Sequence, residues 1–141
     1  MNITWLNKLL HFSKAENQNV LSSINFLFEE ARETDNALYG NQFNERTAEI
    51  ADGFADCAFV SLSGLRKLLV GVGVNEYDVC AAINEIMEAV CDANMSKLGI
   101  DGKFIKDDSG KIVKPYGFTS PNAKIEQIIE HYTGKNYVVG E

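Results

Sequence analysis

Between Val20 and Leu69 the chain keeps a helical apolar period through fifty residues with one clear break. Leu21, Ile24, Leu27, Phe28, Ala31 and Leu38 recur at helical spacing. So do Ala48, Ala51, Ala55, Ala58, Phe59, Leu62 and Leu65. Such stripes predict two amphipathic helices, each with one side against a neighbour. Gly40 and Asn41 tolerate left-handed backbone angles and stop the first helix; Asn44 is a candidate N-cap for the second. The expected unit is an antiparallel helical hairpin turning near Gly40 to Phe43, and the rest of the chain has to be fitted around it.

The hairpin carries an unusual load of acid. Its carboxylates fall in two clusters, Glu29, Glu30 and Glu33 before the turn, and Glu49, Asp52 and Asp56 after it. Spacings of three and four place each cluster on one helical face, where like charges repel unless a cation receives them. With the turn as assumed, Glu33 and Glu49 each lie about six residues from it, roughly 9 Å at ~1.5 Å per residue. Glu30 and Asp52 are one turn further out. Two pairs of carboxylates at matching heights suit a hard divalent ion, Mg²⁺ or Mn²⁺, whereas Zn²⁺ would want His or Cys. A solvated acidic face is the alternative. A ferritin-like di-iron site needs Glu-x-x-His on two helices, and neither His11 nor His131 sits in such a pair.

The remaining segments extend the helical pattern. Ile3, Leu6, Leu9, Leu10 and Phe12 predict a short first helix over residues 2 to 12, and polar Ser13 to Asn19 reads as a connection. Val70 to Val74, VGVGV, ends the third helix; it continues into neither GxGxxG nor GxxxxGK[ST], so it is a turn and not a phosphate loop. Asn75 can cap a fourth helix, with Asp78 placed like the acid of a capping box; Val79, Ile83, Ile86, Met87 and Val90 form its apolar side to about Lys97. Beyond Leu98, the β-type runs FIK and KIV flank Asp-Asp-Ser-Gly and predict a small hairpin. Ser120-Pro121 opens a last helix that Gly134 ends. The expectation is a single all-α domain over residues 1–141, an antiparallel helical bundle with a β-hairpin appendage near its C-terminus.

Composition restricts the partners. Twenty acids against thirteen Lys and Arg give a formal charge of −7, which argues against nucleic-acid polymers as ligands. A nucleotide is not excluded, because divalent ions invert the local charge. Cys57, Cys80 and Cys91 form no CxxC pair and read as buried free thiols. No apolar run approaches the ~20 residues that span a bilayer. The first dozen residues are too short and polar for a signal peptide, so a cytoplasmic protein with no membrane partner is expected.

The motif EExxE at Glu29, Glu30 and Glu33, then ExxD at Glu49 and Asp52 after fifteen residues, resembles the all-α nucleotide pyrophosphohydrolases. These include MazG-like proteins, dimeric dUTPases and phosphoribosyl-ATP pyrophosphohydrolase. IADGFAD and Asn94 to Pro115, NMSKLGIDGKFIKDDSGKIVKP, resemble a phosphoribosyl-ATP pyrophosphohydrolase-like branch. Together the matches cover roughly residues 20 to 120. The resemblance implies Mg²⁺-dependent hydrolysis of an NTP, dNTP or related nucleotide between its α and β phosphates, Mn²⁺ being a substitute ion. It implies Glu30, Glu33, Glu49 and Asp52 as metal ligands, with Asp56 as a further ligand or an orienting group. Glu29 would be an additional ligand or would activate water, a role open to Glu33 as well. Asn94 and Lys97 resemble the substrate-contacting pair, Lys97 adding charge where negative charge develops, and Lys103, Lys111 and Lys114 are further phosphate candidates. A homodimer or homotetramer is implied too. Histidine-biosynthetic phosphoribosyl-ATP hydrolysis and a non-catalytic nucleotide- or protein-binding module are the competing expectations.

Overall fold

The structure, a computed structural model, describes residues 4–39, 46–115 and 117–134. It is mostly helical: α1 Thr4–Glu16, α2 Val20–Leu38, α3 Thr47–Gly71, α4 Glu76–Met95 and α5 Asn122–Thr133, with strands β1 Ile105–Lys106 and β2 Ile112–Val113. The proposed turn at Gly40 to Phe43 and the Asn44 cap lie outside the described residues. Contacts group the chain into two compact units, Met1–Cys80 and Ala81–Glu141.

In the first unit, α1 runs four residues beyond its expected end. Ser13, read from sequence as the start of a connection, lies fully buried inside the helix. Its hydroxyl has partners that sequence cannot reveal: it accepts from Ser63 Oγ at 2.8 Å and from Arg66 Nη1 at 3.3 Å. A satisfied buried hydroxyl does not compete with the helix backbone, which removes the usual reason for Ser to end a helix. Asn17, at φ 52°, makes the break instead, and Asn19 caps α2 by accepting the Ser22 N–H at 3.0 Å.

The neighbouring helices α2 and α3 pack directly on one another. A Cβ built on Gly53 would overlap Thr34 Oγ1 and stand 3.0 Å from Thr34 Cβ; one on Gly64 would stand 3.0 Å from Ser23 Cβ. These crossings are eleven residues apart on both helices and run in opposite directions, so the pair is antiparallel with constant register. The least exposed side of α3 carries Ile50, Gly53, Cys57, Val60, Gly64 and Lys67. That is not the alanine stripe expected from the sequence: Ala48, Ala51, Ala55 and Ala58 are all exposed. Close approach comes from glycine, with no methyl to accommodate.

Near the far end of α3, buried cations join the helices. Arg66 bonds Glu76 through two nitrogens and Ser13 through a third; Lys67 donates to Glu16 at 2.9 Å and to Ser23 at 2.8 Å. Leu6, Leu9, Ala37, Ile50, Leu69, Val74 and Val79 complete the buried apolar set of this unit.

In the second unit, Ala82, Ile83, Ile86, Ala93 and Ile128 are buried. Cys91 is exposed and Cys57 and Cys80 are half-buried, contrary to the expectation of three buried thiols. Strands β1 and β2 pair antiparallel, Ile105 with Val113 and Lys106 with Ile112. The Asp107 carboxylate holds the tip, accepting from Ser109 Oγ at 2.6 Å and from the Ser109 and Lys111 N–H groups. These bonds stabilise its charged form and hold its carboxyl below the usual range. Gly134, at φ 68°, ends α5 as expected.

Candidate functional site

Two helices supply the acids. Glu30 and Glu33 of α2, with Glu49, Asp52 and Asp56 of α3, line a single cleft of about 220 Å³ whose remaining walls are Thr34 and Gly53. Thr34 is buried and donates to the Glu30 carbonyl at 2.8 Å, which turns its side chain along its own helix toward Gly53. The cleft is therefore floored by the closest contact between α2 and α3. Thr34 and Gly53 were not singled out from sequence, although each is a small residue beside an acid, Thr34 next to Glu33 and Gly53 next to Asp52.

The matched heights expected for the carboxylates need correction. With Gly53 opposite Thr34, Asp52 lies nearest the level of Glu33, and Asp56, one turn along, approaches the level of Glu30. Glu49 stands a turn nearer the connection, not opposite Glu33. The cause is an asymmetric connection: α2 ends at Leu38 and α3 begins only at Thr47, so the midpoint falls beyond Asn41. Asp56 thereby joins the cleft. Glu29 does not line it and is exposed, although its charge reaches Glu30.

The electrostatics follow the corrected register. The Glu30 carboxyl titrates above its ordinary value, first because of partial desolvation and then because Glu33, Asp56 and Glu29 crowd it with negative charge. Among the described residues the ion pairs are Arg66–Glu76 and Lys67–Glu16, so none of the five cleft acids has a cation within 4 Å. An all-oxygen donor set of this kind suits a hard divalent ion. Yet among the described residues no three His, Cys, Asp or Glu side chains are gathered closely enough to hold a metal ion. The donor chemistry fits Mg²⁺ or Mn²⁺; the donors line a common cleft without converging on one point.

The expected phosphate contacts belong to the second unit. Asn94 Nδ2 donates to the Val90 carbonyl at 3.0 Å, and its Oδ1 accepts from Lys97 Nζ at 2.8 Å. Lys97 Nζ also stands 5.8 Å from the centroid of the Phe118 ring, and Lys114 Nζ stands 4.9 Å from the same centroid. The structure thus brings Lys97 and Lys114 to one ring. Lys103 is exposed before β1, its backbone N–H held by Asp101 at 3.0 Å. Phe118 was not singled out from the sequence.

No helix among the described residues is long and apolar enough to cross a membrane. No family model, curated protein or solved structure matches the chain.

Proposed function

We propose that the chain is a Mg²⁺-dependent nucleotide pyrophosphohydrolase of the MazG-like, all-α kind, releasing pyrophosphate from a nucleoside triphosphate. The observation that carries this reading is the common cleft that Glu30, Glu33, Glu49, Asp52 and Asp56 line from two helices, without an ion-pair partner among the described residues. Those five carboxylates would hold the metal, Mn²⁺ being an alternative, and the bound ion would supply charge neutralisation for the phosphate oxygens and the departing pyrophosphate.

The chain's own groups account for the rest. Water adds to phosphorus, the bridging P–O bond breaks, and the electron pair leaves with the bridging oxygen. Glu33 accepts the proton of the attacking water, a role the resemblance also leaves open to Glu29, which lies outside the cleft lining. The resemblance assigns Lys97, which donates a hydrogen bond to Asn94, to the substrate phosphates, with Lys103 and Lys114 as further donors. A homodimer or homotetramer is part of the reading. Its support is the large apolar area left open on α2 and α3, where Leu21, Phe28 and Phe54 are 63%, 68% and 61% exposed.

Pyrophosphate release across a panel with Mg²⁺, including dUTP, dCTP and phosphoribosyl-ATP, is the direct test. Glu33→Gln and Asp52→Asn should each lower the rate at least ~100-fold, the range for losing a positioned proton acceptor or its neighbour. Rates unchanged in both variants would remove the assignment. A second reading, a nucleotide-binding module without turnover, draws on the unconverged donor set. Calorimetric nucleotide binding with no hydrolysis anywhere on the panel would select it.

A further inference from the structure

We propose that Phe118 gathers Lys97 and Lys114 into an anion site for the phosphates of a nucleotide, whose base occupies the adjoining apolar cleft between Leu98, Ile100 and Ile105. The choice of a nucleotide as ligand rests on the reading above; the anion site itself does not.

The argument begins with two like charges. The ammonium groups of Lys97 and Lys114 lie 5.8 and 4.9 Å from one ring centroid, inside the range over which an aromatic face attracts a cation. The ring offsets part of their mutual repulsion but is not an anion. Neither ammonium has a carboxylate within 4 Å among the described residues, in a chain where acids outnumber bases by twenty to thirteen. A lysine has three N–H donors, and Lys97 uses one on Asn94. Donors therefore remain on both side chains.

Lys97 is also held in place, and Lys114 extends from an anchored stretch of backbone. Asn94 spends its amide N–H on Val90, which fixes its carbonyl oxygen toward Lys97. Lys114 follows β2, whose partner strand and Asp107-bonded tip anchor the hairpin. Positioned cations lose less freedom on meeting an anion than free ones.

The adjoining space separates a nucleotide from a bare phosphate. Ser96 and Leu98, on either side of Lys97, line a cleft of about 670 Å³ together with Ile100, Ile105, Pro115, Gly117 and one carboxylate, that of Asp101. Pro115 and Gly117 bracket the segment between Lys114 and Phe118. Its volume and largely aliphatic walls suit a base and sugar. The other large cleft of this unit, about 500 Å³, sets three acids, Glu85, Glu88 and Asp92, against the single cation Lys124, a balance that opposes a phosphate chain.

The test uses the full chain in EDTA, so that binding is read without turnover, with ATP, dUTP and inorganic pyrophosphate as calorimetric probes. The wild type should bind at least one nucleotide more tightly than pyrophosphate. Lys97→Gln and Lys114→Gln should each weaken all bound probes about tenfold, the loss of a charge-assisted hydrogen bond. Phe118→Leu should weaken them several-fold and Phe118→Trp should restore them, because indole keeps a cation-attracting face. Ile105→Ser should weaken nucleotides alone, and Lys106→Gln, a surface control on the same hairpin, should change nothing. Thermal melts identify a variant that has merely unfolded; Lys114→Gln, at an exposed position, keeps the test decisive if Phe118→Leu does not fold. Wild-type binding retained in Lys114→Gln, equal loss in Lys106→Gln, or no binding of any probe overturns the inference. If the chain hydrolyses nothing yet binds as stated, the enzymatic reading falls and the anion site stands. If it hydrolyses with an unchanged KM in Lys114→Gln, the anion site falls alone.

Discussion

At one end of α3, Arg66 and Lys67 are buried, and each meets a carboxylate from another helix and a serine hydroxyl. At the other end, Glu49, Asp52 and Asp56 face Glu30 and Glu33 with no cation among the described residues within 4 Å. The same helix therefore disposes of charge in two ways. Buried charge matched inside the protein spends its interactions on holding helices in place, and removing one partner leaves the other stranded in low dielectric. Charge gathered at the surface without a partner contributes no such hold; it raises the Glu30 carboxyl and remains available to a ligand. Position along α3 thus divides structure from candidate function.

The largest effect should come from cutting the paired end. Arg66→Ala leaves Glu76 without its donor and Ser13 with one of two, and should cost about 3–5 kcal/mol of unfolding free energy in urea titration. A loss below ~0.5 kcal/mol, ordinary for an exposed ion pair, would erase the distinction between the two ends.

Next comes the contact that joins the acids. Gly53→Ala drives a methyl into Thr34 and should destabilise by about 1–3 kcal/mol, as overpacking does. Adding Thr34→Ala should recover most of it, since Oγ1 and Cγ2 are two of the three atoms in the way. Failure of the double variant to recover would place the strain elsewhere.

The smallest effect has the opposite sign. Because the folded chain raises the Glu30 pKa, it retains that proton to higher pH than the unfolded chain does. The group's contribution is fully present below its unfolded value and is lost as pH rises through the raised one. Glu30→Gln should therefore raise Tm at pH 7 by about 1–3 °C, a small gain because solvent screens these carboxylates. The gain should vanish on acidification below the ordinary carboxylate range; a gain that persists there would have another cause.

The unpaired end was the legible one. Spacings of three and four within Glu30–Glu33 and Glu49–Asp52–Asp56 determine a shared helical face regardless of context. Which acids stand opposite depends on where the chain turns, and the Gly53–Thr34 crossing sets a register other than the one a turn near Gly40 to Phe43 predicts. The paired end was nearly invisible. Arg66-Lys67 within LRKLL carries no mark of burial, which becomes tolerable only through Glu76 on the next helix and Glu16, fifty-one residues earlier. The seam itself was misplaced because α3 is apolar on more than one side. The alanines favoured helix, whereas Gly53 and Gly64 determined contact. The β-hairpin was legible in its turn, since Asp107 bonds its own neighbours. The meeting of Lys97 and Lys114 at Phe118 was not, because it joins residues on three separate segments.

The touch of Gly53 on Thr34 is an uncharged contact, yet it acts as a mechanical stop for the carboxylates above it. Added salt weakens the repulsion between those carboxylates without drawing the two helices nearer, because Gly53 already lies against the Thr34 side chain. The gap between acids is then a property of steric thickness, insensitive to ionic strength. Under the proposed metal dependence, a cation entering it would meet a gauge already set, and discrimination among ions of equal charge would fall to their radius and to how readily they shed water.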